Sequence, residues 1–355
     1  MIGKDAMNPA KVLLKIAIPL LAALLLGPTG ETWASCGADG CPLDLSLNTN
    51  PRGTNRSTAP RMSLQLAYET IDQDQLWAGH HRIPPAQILA GQITWPEHEQ
   101  ELTTQSQNLR LMANCELTPR WSVRAAFPVV HRTHSHLVHH DTKVGEVIYH
   151  QDELEQWDFT RTGDLTLGSR YKVWSGDTFL TTGLGISLPT GATAMRNAEG
   201  DEAELSLQLG KGSVGVLFEV SLQNLQRNLP SFSGRQPARL FASTFYQLHL
   251  RGKEDYRFGN ECMLQAGGQY PLFGRIGFVG QLVTHWKGRD EEDQSGEVAE
   301  ATGSTSVYLS PGLQAEISPG LSLYSYYQVP VYHRVHEVQI KPSRNLLMGL
   351  GYSIQ

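Results

Sequence analysis

Apolar residues recur at every second position along most of the chain beyond residue 60. In RMSLQLAYET, Met62, Leu64, Leu66 and Tyr68 share one parity. Leu109, Leu111, Ala113 and Cys115 repeat the pattern, as do Trp121, Val123, Ala125, Phe127 and Val129. It returns over residues 165–171, 180–188, 214–222, 240–250, 258–270, 276–286, 307–315, 321–331 and 346–354. Successive side chains of a strand point to opposite faces, so a period of two predicts strands with one apolar face. About twelve strands are expected from these runs.

The connections alternate in length. LTPRW, WSGDT, PLFGR and ISPGL are short and carry Pro, Gly or Asp, the residues of tight turns. Residues 70–105, 131–160, 190–212, 288–303 and 333–343 are longer and more polar, and only 223–238 is long where a short turn is expected. An even number of strands, short turns at one end and long loops at the other predict an all-β fold, a transmembrane antiparallel β-barrel with periplasmic turns and extracellular loops. A soluble sandwich or barrel would also alternate, but with its apolar residues around a packed core. Tyr68, Trp121, Tyr171, Trp174, Tyr246, Tyr270, Trp286, Tyr332 and Tyr352 fall near expected strand ends, where an amphipathic ring suits the lipid headgroups.

The N-terminus changes the picture further. Lys4, Lys11 and Lys15 precede or enter the apolar run IAIPLLAALLLG, and Thr32 and Ala34 place small residues at a cleavage site. Residues 1–34 are expected to be a signal peptide, 35–60 a periplasmic extension and 61–355 the outer-membrane barrel. A retained anchor fits less well, because Lys15 intrudes and the clean run is short. No later stretch approaches a spanning helix, so a membrane location requires a closed barrel. The ending LLMGLGYSIQ resembles the last-strand signal read by the barrel-assembly machinery, with Gln355 where a terminal aromatic is usual. Outer-membrane lipids and that machinery are the expected partners. A net charge of −6 offers no basic field for phosphates, so nucleic acid is not an expected partner.

Candidate chemistry is concentrated in HRTHSHLVHHDTKVGEVIYHQDELEQWDF. His131, His134, His136, His139, His140 and His150 make this loop a candidate for zinc or copper, since imidazole suits both. The spacing of His134 and His136 puts both rings on one face of an extended segment. The alternative is a solvated loop whose histidines bond to carboxylates. His80, His81 and His98 would join the cluster if the long loops meet. No other cofactor is expected. Gln281, His285 and Lys287 share a face opposite Leu282 and Trp286, which assigns them to the lumen. Asp164 and Arg170 are an even number of positions apart and are assigned there too, after a turn at Gly163. Cys36 and Cys41 are expected to form a local disulfide, with a metal or redox pair as the alternative. Cys115 and Cys262 read as small apolar residues of strand faces. No GxSxG elbow, defensible Ser–His pair or phosphate-binding loop is present, so no catalytic residue is assigned and the chain is not read as an enzyme.

GDLTLGSRYKVW followed by GLGISLPTG resembles the outer-membrane family named for the meta-pathway of phenol degradation, a family of transporters. The matching residues are Gly163, Asp164, Leu165, Leu167, Gly168, Arg170 and Tyr171, then Leu188, Pro189, Thr190 and Gly191. YRFGNE, YLSPGLQ and QVPVYHRV are later matches, and the CxxxxCPLD start with YETIDQDQ resembles a subgroup with His-rich loops. The resemblance implies a barrel, an outer-membrane location and a transporter or porin-like role for small solutes, either apolar or aromatic compounds or metal ions. It carries no catalytic residues and says little about substrate. Two other functions stay open. One is a closed scaffold presenting the His-rich loop to a metal or partner. The other is a lipid-acting barrel enzyme, which needs a Ser–His or Asp–His pair at the lipid boundary.

Overall fold

The structure is a computed structural model that describes residues 62–84, 99–144, 147–226, 238–299 and 301–354. The expected signal peptide, the extension, and Cys36 and Cys41 lie outside the described residues. The chain runs through β1 (Met62–Ala78), β2 (His81–Ile83), β3 (Glu99–Glu116), β4 (Trp121–Val144), β5 (Val147–Thr162), β6 (Leu165–Trp174) and β7 (Thr178–Leu188). It continues through β8 (Gly215–Gln226), β9 (Ala238–His249), β10 (Glu261–Phe273), β11 (Ile276–Lys287), β12 (Ser304–Ser318), β13 (Leu321–Val335) and β14 (Val338–Ile354).

Twelve of these strands form one closed antiparallel circuit. Each is paired to its neighbours in chain order, and β14 returns to β1, from Met62 opposite Ile354 to Ala78 opposite Val338. Closure leaves no sheet edge, which is what a β-structure in lipid requires. β2 only extends the end of β1. β5 lies beyond the circuit and pairs with the far half of β4, while β6 pairs with the near half. The two are successive pieces of one strand line, broken at Gly163 and Asp164. There the Gly163 N–H still donates to the Pro128 carbonyl at 3.0 Å. The turn expected at Gly163 is therefore a bulge within a strand.

The tight turns fall at 117–120, 175–177, 274–275 and 319–320, with Gly274 and Gly320 at positive φ. The opposite end carries 189–214, 250–260 and 288–303. Three expected loops differ, and 227–237 of the connection expected at 223–238 lie outside the described residues. Of residues 70–105, 70–78 belong to β1 and 99–105 to β3. Residues 131–160 are mostly strand, because β4 and β5 form a hairpin from Val129 opposite Thr162 to Val144 opposite Val147. Its polar residues hid it: main-chain pairing needs no apolar face once a strand has left the lipid. Residues 333–343 are likewise strand around a turn, with Glu337 at φ 57°.

The two barrel faces differ in chemistry. Outward positions carry exposed apolar side chains, among them Leu66, Leu111, Phe127, Leu184, Phe218, Leu264, Leu282, Leu309 and Leu350. Inward positions bury Gln65, Glu69, Arg170, Glu219, Gln281, His285 and Gln328. This is the reverse of a soluble core and matches a barrel whose outer wall meets lipid. On β4 the outward series Trp121, Val123 and Phe127 gives way to His131, Thr133 and Ser135, so β4 beyond Val129 stands clear of the apolar belt. Cys115 and Cys262 are free and half-buried within strands.

Close packing inside the barrel depends on two glycines. A Cβ at Gly349 would sit 2.2 Å from the Tyr324 hydroxyl, and one at Gly312 would sit 2.3 Å from Cδ1 of Tyr326. The rings lie against backbone that only glycine leaves bare. Gly349→Val is expected to lower the unfolding free energy by about 2 kcal/mol or more, because the new side chain overlaps the Tyr324 ring and forces it off the backbone it packs on. The midpoint of urea unfolding from lipid vesicles checks this, with Leu350→Val as the outward control.

The barrel lumen as candidate functional site

The inner wall is divided by chemistry. Around β4, β6 and β8 it is ionic. Glu219 on β8 takes Arg124 at 2.7 Å and Arg170 at 2.5 Å. Both guanidinium groups converge on one carboxylate, a charge-assisted arrangement that a buried acid needs. Gly168 makes room for it: a Cβ there would lie 2.9 Å from Nε of Arg124. Beside it, Asp164 is fully buried and accepts the Thr190 N–H at 3.0 Å and the Ser187 hydroxyl at 3.3 Å. The Thr190 hydroxyl in turn accepts the Leu165 N–H at 2.9 Å. The GDL and LPTG segments, apart in sequence, thus clasp each other. They hold the bulge between β5 and β6.

From β9 round to β14 an apolar cluster is set among buried polar side chains. Ala67, Phe241, Met263, Val279, Val283, Tyr308, Tyr324, Tyr326 and Leu347 are buried together, with Met112 and Phe245 against them.

The loop end is closed from within. Residues 207–211 of the 189–214 loop run across the mouth from β4 to β10. Arg132 on β4 donates to the Leu207 carbonyl at 2.9 Å. Val130, Trp157 and Phe159 pack on Ala203, Leu207 and Leu209. At the other end, Lys211 is buried and donates to Glu261 on β10 at 2.8 Å and reaches His249 at 3.2 Å. His285 on β11 meets the second Glu261 oxygen at 3.3 Å. Lys211 and Lys287 both lie over the Phe258 ring, at 5.3 and 5.7 Å, a geometry in which the ring face attracts cations.

The YRFGNE segment builds this closure. Tyr256 donates to Asp290 at 2.8 Å, and Arg257 pairs with Glu291. The Gly259 N–H donates to Asp290 at 2.8 Å, and the Asn260 side chain accepts the His249 N–H at 3.1 Å. Burial, and then the Asp290 carboxylate beside it, push the Tyr256 phenol up, so it stays a donor. Lys287 also reaches Asp290, at 3.2 Å.

The residues singled out from the sequence are distributed as follows. Asp164, Arg170, Gln281, His285 and Lys287 all lie buried on the inner wall. The histidine cluster is split between faces. His134 and His136 share the buried inner face of β4, with ring centroids 5.4 Å apart and Trp157 beside both. His131 is on the opposite parity and meets Thr160 at 2.9 Å. Strand pairing, rather than a loop, separates them. His139, His140 and His150 lie in paired strand backbone, opposite Asp152, Gln151 and Asp141. His136 bonds to Glu155 at 3.2 Å and His134 to Thr104 at 2.7 Å. His80 and His81 stack on each other at 4.0 Å, and His98 lies outside the described residues. No group of three metal-ligating side chains comes together among the described residues. Register also makes a Ser–His pair that sequence reasoning missed. Ser306 and His333 are cross-strand partners 2.8 Å apart. They are buried on the inner wall and not at the lipid boundary.

A closed twelve-strand barrel with an apolar outer belt and a polar inner wall is an outer-membrane β-barrel. No family model matches the chain, and no curated protein matches it either. Solved structures do. An outer membrane channel from Pseudomonas putida F1 superposes with a TM-score of 0.57 at 13% identity, covering 89% of this chain and all of the other. That likeness is one of fold. A FadL homologue from Pseudomonas aeruginosa aligns at 10% identity over 82% of this chain and 90% of the other, with a TM-score of 0.39, too loose to argue from.

Two outcomes are expected. Lys211→Met leaves buried Glu261 without its ammonium, and breaking a buried pair costs about 3–5 kcal/mol. Trypsin should then cut the 189–214 loop at Arg196 faster by roughly tenfold or more, since 1.4 kcal/mol of lost local stability already gives that factor. Burial, aided by His136 and Arg132, pushes His134 down to about 3. Between pH 6.5 and 3 the unfolded chain therefore binds a proton that the folded chain does not. Stability is full above the unfolded value and falls as pH drops below it, by about 2 kcal/mol at pH 5. Amide exchange in β3 and β4 near His134 should quicken from pH 7 to 5, and His134→Gln should flatten that dependence.

Proposed function

We propose that this barrel is a transporter for small solutes whose route runs through the lumen and is closed at the loop end by residues 207–211. One observation carries the reading: polar and ionised side chains are buried along the inner wall where a closed scaffold would place apolar ones. Burying ions is costly unless they are paired, and the wall retains Glu219, Arg170, Glu261 and Lys211 in pairs. Such a lining suits passage of solutes, and the paired loop suits a closure that can be released.

The tyrosines, Phe241 and Met263 of the inner wall favour an organic solute with C–H surface over a metal ion. Metal passage would rest on His134 and His136, whose bonds run to Thr104 and Glu155. The scaffold reading draws support from the β4–β5 hairpin, which carries its histidines beyond the belt.

Swelling of lipid vesicles holding the refolded chain tests the proposal. Uncharged solutes of roughly 150 Da should enter, and Lys211→Met should speed entry several-fold, in the tenfold range that 1.4 kcal/mol allows. A correctly folded barrel that admits no solute with either sequence would overturn the transport reading and favour the scaffold.

A further inference from the structure

One row of the inner wall is neither ionic nor apolar. Gln281 on β11 is the register partner of Ser310 on β12, and Gln328 on β13 is the partner of Asn345 on β14. Ser310 lies between the pairs Leu309–Val329 and Gly312–Tyr326, which brings it level with Gln328. Four adjacent strands thus contribute four uncharged polar side chains to one cross-strand row. All four are at least nine-tenths buried.

Each leaves a hydrogen-bonding atom unused. Gln281 accepts from Gln265 at 2.6 Å, yet its Nε2 has no partner among the described residues. Gln328 accepts from Asn345 at 2.6 Å, and its own Nε2 has none. Asn345 donates to Gln328 and also to Glu69 at 3.0 Å, leaving Oδ1 unmatched. The Ser310 hydroxyl is unmatched as well. A buried donor or acceptor without a partner costs about 1–3 kcal/mol, and here four stand side by side. Neighbouring strands are about 4.8 Å apart, so the row extends over about 14 Å, and two or three adjacent members are within reach of one sugar ring. Tyr308 flanks the row on the mouth side, and Tyr326 flanks it on the turn side.

We propose that Gln281, Ser310, Gln328 and Asn345 form a solute-binding station for an uncharged, multiply hydroxylated molecule. Two amide donors, one carbonyl acceptor and a hydroxyl satisfy alcohol groups in either role. The flanking rings suit C–H faces. No member of the row is ionised, and Glu69, the carboxylate that touches it, is already taken by Asn345 and Arg110, so a charged solute would lose its hydration without a free counter-charge. This rests on the transport reading and names the solute class for the same lumen.

The test is saturation-transfer NMR on the refolded full chain in detergent micelles, with glucose as probe and betaine as a zwitterionic probe that carries full charges but no hydroxyls. Neither enters micelles, so transfer reports protein contact. Glucose should receive saturation and betaine should not. Gln281→Leu with Gln328→Leu should weaken glucose binding about tenfold, the factor set by one or two lost hydrogen bonds. Gln65→Leu, outside the row, should leave it unchanged, and heat-modified gel mobility checks that each variant folds. Absent transfer to glucose, equal transfer to betaine, or an unaltered affinity in the double variant would overturn the station. Vesicle swelling separates the two claims: solute entry without glucose binding removes the station and leaves transport standing.

Discussion

The pairing of β1 with β14 is the interaction on which the rest depends. Without it the sheet has two edges, each with a row of unpaired N–H and C=O groups that lipid cannot satisfy. With it, every strand of the circuit has two neighbours, and the outer wall can be apolar without being a core. Closure also creates an interior, which is why Glu219, Glu261 and Lys211 can be buried at all. Each is held by a partner on a different strand or loop, so the ionic pairs report the circumference of the barrel.

The interior divides that circumference into tasks. The β4–β8 arc is self-satisfied, with Arg124, Arg170 and Glu219 paired and Asp164 clasping Thr190. The mouth is spanned by a loop held at one end by Arg132 and at the other by Glu261. The β11–β14 arc combines tyrosines with carboxamides whose bonding is incomplete. A solute would meet least competition from the protein's own pairs along that arc.

Much of the barrel was legible in the sequence because period two is a local property. Leu282 and Trp286 read as outward and Gln281, His285 and Lys287 as inward within seven adjacent letters, and the short turns were marked by Pro and Gly. What escaped was set by register. Nothing local says that His333 faces Ser306, that Asp164 reaches Thr190, or that Gln281, Ser310, Gln328 and Asn345 align across four strands. The β4–β5 hairpin escaped because the alternation that reveals a strand fades where no lipid demands it. The histidine cluster looked like one site because letters close in sequence were assumed to share a loop. Pairing placed His131 on one face and His134 with His136 on the other. Lys211 escaped too, since a lone lysine in a polar loop gives no sign of a buried partner fifty residues away.

The seam offers the most direct test. Nitroxide labels at Leu66 and Leu350, register partners on β1 and β14 with outward exposed side chains, can be read by continuous-wave EPR in bilayers. The closed barrel predicts strong dipolar broadening between the two labels, with collisions favouring oxygen dissolved in lipid over a water-soluble nickel chelate. Sharp, non-interacting spectra, or labels that meet nickel more readily than oxygen, would contradict a closed barrel with its apolar wall in the membrane.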